Sequence, residues 1–328
     1  MSKTVSLQTI DGRDYGLDIP APGNGSSYFL FSLPKAGSTL LMNVMVDVNK
    51  TLGIPMIDLP TRLFTLGITP NDLKEDINQL WLANGYAYMG FRSFLPPMSF
   101  DFLKTKNILL IRDPRDILVS LYFSVRFSHR IPKLEGAEHP MANTRRKLQK
   151  MGIDQYVLNA APTVMRNYLA YSQHLPTETT RVYRYEDIVF RKREWLEDML
   201  DFLDLKLSKS RIREIVDKHD IRPGVEDPTK HVRQVTPGNY NHHLDRVTVD
   251  KLDEILEPVL HTYQYDSVVS FGIGTDPGMK SIQNSPEPLD LKDLKIRRLE
   301  DNIERILQSW SWRSTGFFRW LASFFVKG

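Results

Sequence analysis

Apolar residues in this chain fall into two patterns. Short unbroken runs occur at Tyr28–Leu33, Tyr86–Phe91, Asn107–Arg112 and Arg181–Tyr185. Their length and their β-branched or aromatic content predict buried strands. Between and after them, apolar positions recur every three or four residues. This spacing predicts helices over Thr39–Lys50, Asn71–Ala83, Asp116–Phe127, Asp154–Ser172, Arg193–Leu203, Lys209–Lys218 and Val249–Leu260. Strands alternating with helices predict an α/β fold, a central parallel sheet flanked by helices. Such sheets bind ligands at the carboxyl ends of their strands.

From Gly272 to Leu289 the composition shifts to Gly, Pro, Ser, Asp and Asn, which predicts a linker. The expected organisation is an α/β domain over 1–272, a linker over 273–289 and a separate tail over 290–328. In that tail Leu289, Ile296, Leu299, Ile303, Ile306 and Trp310 keep mostly three- and four-residue spacing, the mark of an amphipathic helix or a short coiled coil.

Two of the predicted strands end in turns suited to anions. The first runs into Pro34-Lys35-Ala36-Gly37-Ser38-Thr39 and then a helix. Strand, tight basic turn and helix aim backbone N–H groups and a positive helix end at phosphate. The order is not that of a Walker A loop, because the lysine precedes the glycine. The turn is therefore expected to grip a phosphorylated nucleotide without handling a γ-phosphate. The second strand breaks at Arg112-Asp113-Pro114-Arg115-Asp116, and Ser120 follows just over one helical turn later. Arg112 and Ser120 could both reach one phosphate. The same residues also read as a plain helix start, with Asp113 as cap, Pro114 at the first position and arginines on the surface.

Composition narrows the classes. The 328 residues carry a net charge of +3, too little to argue for nucleic acid as a partner. The absence of cysteine excludes disulfides and thiolate metal sites and fits a reducing compartment. Met1 to Pro20 has no apolar run of the kind a secretory signal needs, so a cytoplasmic protein is expected. No Asp-rich or His-rich metal constellation stands out.

The two turns together resemble those of the sulfotransferases that use 3′-phosphoadenosine 5′-phosphosulfate (PAPS). Their 5′-phosphosulfate loop reads Pro-Lys-x-Gly-Ser/Thr-Thr, matched by Pro34 to Thr39, and their 3′-phosphate motif is matched by Arg112 and Ser120. A third family element, Arg-Lys-Gly-x-x-Gly-x-Trp, is similar to Arg233-Gln-Val-Thr-Pro-Gly238-Asn-Tyr240, with Gln-Val in place of Lys-Gly. The segment Tyr185-Glu186-Asp187 fits the adenine-side region. The resemblance spans about Tyr28 to Leu244. It implies a P-loop-like fold, PAPS as donor and no metal. It also implies Lys35 as donor to the bridging oxygen of the departing nucleotide, with the Gly37–Thr39 amides on the 5′-phosphate. Arg112, Ser120 and Arg233 would form the clamp that tells a 3′-phosphorylated nucleotide from ATP.

The chain departs from the family at two places. Leu40 stands where many members carry an aromatic residue that stacks on adenine. Arg92-Ser93-Phe94-Leu95-Pro96 stands where those members carry Lys-Thr-His-Leu-Pro, whose histidine is the general base. The chain is thus more similar to branches that use a carboxylate past the first helix, and Asp58 is the matching candidate. A turn aspartate before Pro60 is the plain alternative. His129 is a second candidate base, or an exposed loop histidine.

The acceptor side is less determined. Arg126, Arg130, Lys133, Arg145, Arg146, Lys147 and Lys150 form a basic run after the 3′-phosphate helix. It is either a solvated face or a rim favouring an anionic carbohydrate or glycolipid acceptor. From Arg305 onward, basic residues interleave with Trp310, Trp312, Phe317, Phe318, Trp320, Phe324 and Phe325 without any acid. That mixture suits a helix lying on the inner leaflet of a membrane, or one packed on a second subunit in a homo-oligomer. Its Ser309-Trp310-Ser311-Trp312-Arg313 also resembles the tails of many bacterial polysaccharide glycosyltransferases. The leading expectation is therefore a PAPS-dependent sulfotransferase of surface-glycan assembly. A P-loop-type nucleotide kinase and a non-catalytic membrane-tethered scaffold remain the alternatives.

Overall fold

The computed structural model describes residues 2–74, 76–95, 98–128, 140–220 and 236–265. The linker and tail expected beyond residue 272 lie outside the described residues. In chain order the described elements are β1 (Lys3–Gln8), β2 (Asp14–Ile19), β3 (Tyr28–Ser32), α1 (Ser38–Leu52), β4 (Met56–Ile57), α2 (Leu59–Leu66), β5 (Ala87–Phe91) and β6 (Lys106–Ile111). They continue with α3 (Pro114–Phe123), α4 (Pro140–Leu148), α5 (Ile153–His174), β7 (Thr180–Arg184), α6 (Tyr185–Ile188), α7 (Lys192–Phe202), α8 (Lys209–His219), α9 (Tyr240–His243) and α10 (Arg246–Thr262). They divide into two compact units, one of residues 2–111 and 175–220, the other of residues 112–174 and 236–265.

The first unit holds the five-stranded sheet, ordered β4-β5-β3-β6-β7 with every pair parallel. Strands β3 and β5 are buried at every position, as a strand covered on both faces must be. Aromatic side chains fill the space around β3. Phe29 stacks on Tyr88 with ring centroids 4.5 Å apart, and Phe31 meets Phe91 at 4.9 Å. Trp81 and Phe102 pack edge-on against Phe29. Burial of this apolar area drives the sheet to form.

The four predicted strands are all present in the parallel sheet, and so are the predicted helices other than that over 71–83. Several stretches differ from expectation. Residues 71–83 are not a helix but two short 3₁₀ turns, Pro70–Asp72 and Ile77–Leu80. The Tyr88 hydroxyl donates to the Leu80 carbonyl at 2.7 Å and accepts from Leu82 N–H at 2.8 Å. A tertiary partner thus takes backbone groups that a helix would need internally. The polar N-terminus is an antiparallel hairpin, β1 with β2, whose Leu7 and Leu17 are buried while Thr4–Asp18 and Ser6–Asp14 pair on the outside. Its alternation is masked by its polarity. The short elements β4, α2, α4, α6 and α9 were also not expected.

The second unit is helical, with α5 packed against α3 and α10. The Tyr168 hydroxyl on α5 donates to the Arg112 carbonyl, and Ser172 meets the Tyr263 hydroxyl at 2.9 Å. Among the described residues no helix is long and apolar enough to cross a membrane.

Candidate functional site in two parts

The first part lies at the carboxyl end of β3. The Leu33 N–H donates to the Leu110 carbonyl on β6 at 3.2 Å, so the chain leaves the sheet only after Leu33. Ser32 Oγ ties this end to β5 by donating to the Phe91 carbonyl at 2.9 Å. The Ala36 N–H then closes a tight turn on the Leu33 carbonyl at 3.2 Å. Within that turn Lys35 has φ of 64°, the left-handed region, which costs a non-glycine residue about 1–2 kcal/mol. Strain of this kind persists where the surroundings impose it, and it concentrates at ligand sites.

Helix α1 starts immediately afterwards, with Gly37 as its cap residue and no side-chain cap on its first amides. The first turn of a helix carries donors with no partner inside the helix and a positive end, so the arrangement matches an anion. Tyr185, the first residue of α6, packs its ring edge against Gly37; a β-carbon there would stand 2.9 Å from Tyr185 Cδ2. Tyr185 is buried and supports the loop from the side of β7. Ser38 is buried at the helix start, whereas Lys35, Thr39 and Leu40 are half-exposed.

Asp58 lies in the same unit. It caps α2, with Oδ1 accepting from Thr61 N–H at 3.0 Å. Burial raises its pKa above the ordinary value, and the charge of Arg92 opposes that rise. Burial in turn pushes the Arg92 pKa down, opposed by Asp58. Arg92 follows β5 directly, and its Nη2 lies 3.8 Å from Met42 Sδ on α1. A turn aspartate and a candidate base are therefore both compatible with the geometry: the cap uses one oxygen, and burial strengthens the carboxylate as a base.

The second part is the start of α3. Asp113 caps the helix by accepting from Arg115 N–H at 2.9 Å, as the plain reading of the sequence requires. The arginines, however, are not on the surface. Arg112 is 7% exposed and Arg115 8%. Arg115 makes two side-chain hydrogen bonds to Asp113, at 2.9 and 2.6 Å, reaches Asp253 on α10 at 2.9 Å, and stacks over the Tyr240 ring at 4.4 Å. Burial opposes its charge, but Asp113 outweighs that and raises its pKa above the usual arginine value. Arg112 donates instead to Asp116, Nη2 to Oδ2 at 3.2 Å. Ser120 lies one turn further along α3, half-exposed.

The Asp116 carboxylate also accepts from Gly238 N–H and Tyr240 N–H, each at 2.9 Å. The segment around Gly238 is thus brought to the first turn of α3, within one unit. Arg233 and His129 lie outside the described residues. Asp116 was absent from the sequence-based set of site residues, although its i, i+4 spacing from Arg112 was a usable signal. Among the described residues there is no cluster of three or more His, Asp or Glu able to hold a metal.

A model of the sulfotransferase domain matches residues 90–264, more than half of the 328 residues, and the chain belongs to that family. The matched stretch takes in Arg112, Ser120, Tyr185 and Gly238, and begins after the Pro34–Thr39 turn. Among solved structures, the chain is similar to mouse sulfotransferase SULT7A1 complexed with PAP, at 12% identity over 79% of this chain and 95% of that one, with a TM-score of 0.46. It is also similar to retinol dehydratase in complex with androsterone and the inactive cofactor PAP, at 14% identity over 82% and 92%, with a TM-score of 0.43. A third is the sulfotransferase domain from the curacin biosynthetic pathway, at 14% identity over 86% and 98%, with a TM-score of 0.31. No curated protein sequence matches the chain.

Proposed function

We propose that this sulfotransferase-domain protein moves a sulfuryl group from PAPS to a hydroxyl of a carbohydrate or glycolipid, in the assembly of a bacterial surface polysaccharide. The observation that carries the donor reading is the turn from β3 into α1, where a strained lysine precedes a helix start with no side-chain cap. Such a site suits a 5′-phosphate and supplies one cation beside it.

PAPS provides an activated sulfuryl group whose departure leaves negative charge on the 5′-phosphate oxygen. In this reading Lys35 neutralises that charge, while Pro34 and Ala36 shape the turn. The amides of Gly37 to Thr39 and the hydroxyls of Ser38 and Thr39 hold the 5′-phosphate. Arg112, Ser120, Arg233 and Gly238 take the 3′-phosphate, and Tyr185 braces the loop. Asp58 removes the proton of the acceptor hydroxyl; its raised pKa makes it a stronger base than an exposed aspartate. His129 is the alternative base. The basic positions on α4, Arg145, Arg146 and Lys147, support an anionic acceptor. The basic, aromatic tail supports a place at the inner leaflet of the membrane, in the cytoplasm.

Thermal melting separates this reading from a nucleotide kinase. Adenosine 3′,5′-bisphosphate (PAP) at about 100 times its Kd should stabilise the protein by about 2.7 kcal/mol, and ATP should not. An equal response to ATP, or none to PAP, would refute the donor assignment. Transfer of ³⁵S from labelled PAPS to bacterial polysaccharide tests the acceptor class.

A further inference from the structure

The carboxylate of Asp116 does not serve its own helix. It sits in the first turn of α3, where an acid usually answers the helix's own amides, but Asp113 already caps that turn. Its side chain is fully buried, and all three of its described donors come from outside α3. Oδ2 accepts both from Arg112 Nη2, at 3.2 Å, and from Gly238 N–H, at 2.9 Å. Oδ1 accepts from Tyr240 N–H at 2.9 Å. One oxygen atom is therefore shared by the arginine at the end of β6 and by a backbone amide that lies 122 positions beyond Asp116 in the chain.

Other groups reinforce the arrangement. The Tyr168 hydroxyl holds the Arg112 carbonyl, so Arg112 is fixed at its backbone as well as at its guanidinium. The Tyr240 ring lies under Arg115, itself tied to Asp113 and Asp253. A buried carboxylate with three N–H donors is a rigid, charge-assisted joint.

We infer that Asp116 is a positioning residue that sets Arg112 and the Gly238–Tyr240 turn in one arrangement, and so determines how strongly the chain prefers a 3′-phosphorylated nucleotide over one with a 5′-phosphate alone. The inference rests on the assignment of Arg112 and Gly238 to the 3′-phosphate. Asp116 itself touches no substrate in this scheme. As an anion it would repel a phosphate, so its contribution is geometric: it orients the guanidinium and carries the turn's amides.

Asp116→Asn tests this, because an amide turns an NH₂ group toward at least one of the three donors and removes the charge. The measurement is the Kd of PAP and of adenosine 5′-monophosphate by titration calorimetry, with kcat and KM for PAPS alongside. The expected result is a PAP Kd raised about tenfold or more, with the monophosphate Kd within about threefold of wild type. KM for PAPS should rise in step with the PAP Kd, while kcat stays within about twofold. Parallel weakening of both nucleotides, or no change in their ratio, would overturn the inference and leave Asp116 a purely structural residue. If Asp116→Asn gives no folded protein, Asp116→Glu, which keeps the charge but displaces the oxygens, is titrated instead. There an unchanged preference overturns the inference and a reduced one supports it. A wild-type chain that binds the two nucleotides equally refutes the underlying 3′-phosphate assignment, a failure distinct from that of the Asp116 variant.

Discussion

Gly90 makes the space that Asp58 occupies. Gly90 has φ of 88°, and a β-carbon there would overlap the Asp58 carboxylate. The fourth residue of β5 and the cap of α2 are thus one packing unit, and only glycine satisfies both the backbone angle and the close approach.

Gly90→Ala should therefore destabilise the protein by about 1–3 kcal/mol from the backbone angle alone, with more from the overlap. Urea unfolding of the variant measures it. A midpoint equal to wild type would refute both the strain at Gly90 and the overlap with Asp58, whereas a loss confined to about 1–3 kcal/mol would show that Asp58 moves away.

Asp58→Asn separates the cap from the base. Asparagine caps a helix as well as aspartate does, so the melting temperature near neutral pH should not fall. Turnover should drop by about 10²–10⁴-fold if Asp58 takes the proton. The pH dependence of stability should change as well. Burial raises the folded-state pKa of Asp58 above its ordinary value of 3.8, so the folded state binds the proton more tightly than the unfolded chain. Stability is then lost as pH rises from below 3.8 through the folded value, and Asp58→Asn should remove that loss. Full activity in the variant would leave Asp58 as a cap and direct attention to His129.

The left-handed Lys35 gives a paired prediction. Lys35→Ala and Lys35→Gly should both abolish sulfuryl transfer, because either removes the cation. Their stabilities should differ, with the glycine variant about 1 kcal/mol the more stable, since only glycine adopts φ of 64° without strain. Differential scanning calorimetry of the two variants decides this. Equal melting temperatures would mean that the turn relaxes once the lysine is gone.

Arg115→Ala should cost about 3–5 kcal/mol, because it leaves the Asp113 charge buried beside α3 without its guanidinium partner. Loss of the stacking on Tyr240 adds to it. Denaturant unfolding at neutral pH is the measurement, and a change below about 1 kcal/mol would place Arg115 among the ordinary surface pairs.

Removal of residues 305–328 should release the protein from anionic vesicles in a sedimentation assay and leave activity on a soluble acceptor intact. Unchanged sedimentation would show that the tail does not hold the membrane surface.

The pattern of apolar residues was enough to determine four of the five strands of the sheet, all but β4, and the helices α1, α3, α5, α7, α8 and α10, because a strand covered on both faces reads as an unbroken apolar run and a helix buried on one face marks every third or fourth position. The Pro34–Thr39 turn was equally legible, since its residue types suit an anion whatever surrounds them. Other features depended on partners distant in the chain. Residues 71–83 carry a helical pattern, yet the Tyr88 hydroxyl claims the Leu80 carbonyl and the Leu82 amide. The plain alternative that put Arg112 and Arg115 on the surface fails because Asp116, Asp113, Asp253 and Tyr240 enclose them. Asp116 showed no sign of joining Arg112 to an amide more than a hundred residues away. A local pattern records which face is apolar, whereas the pairing of buried charges depends on which segments the fold brings together.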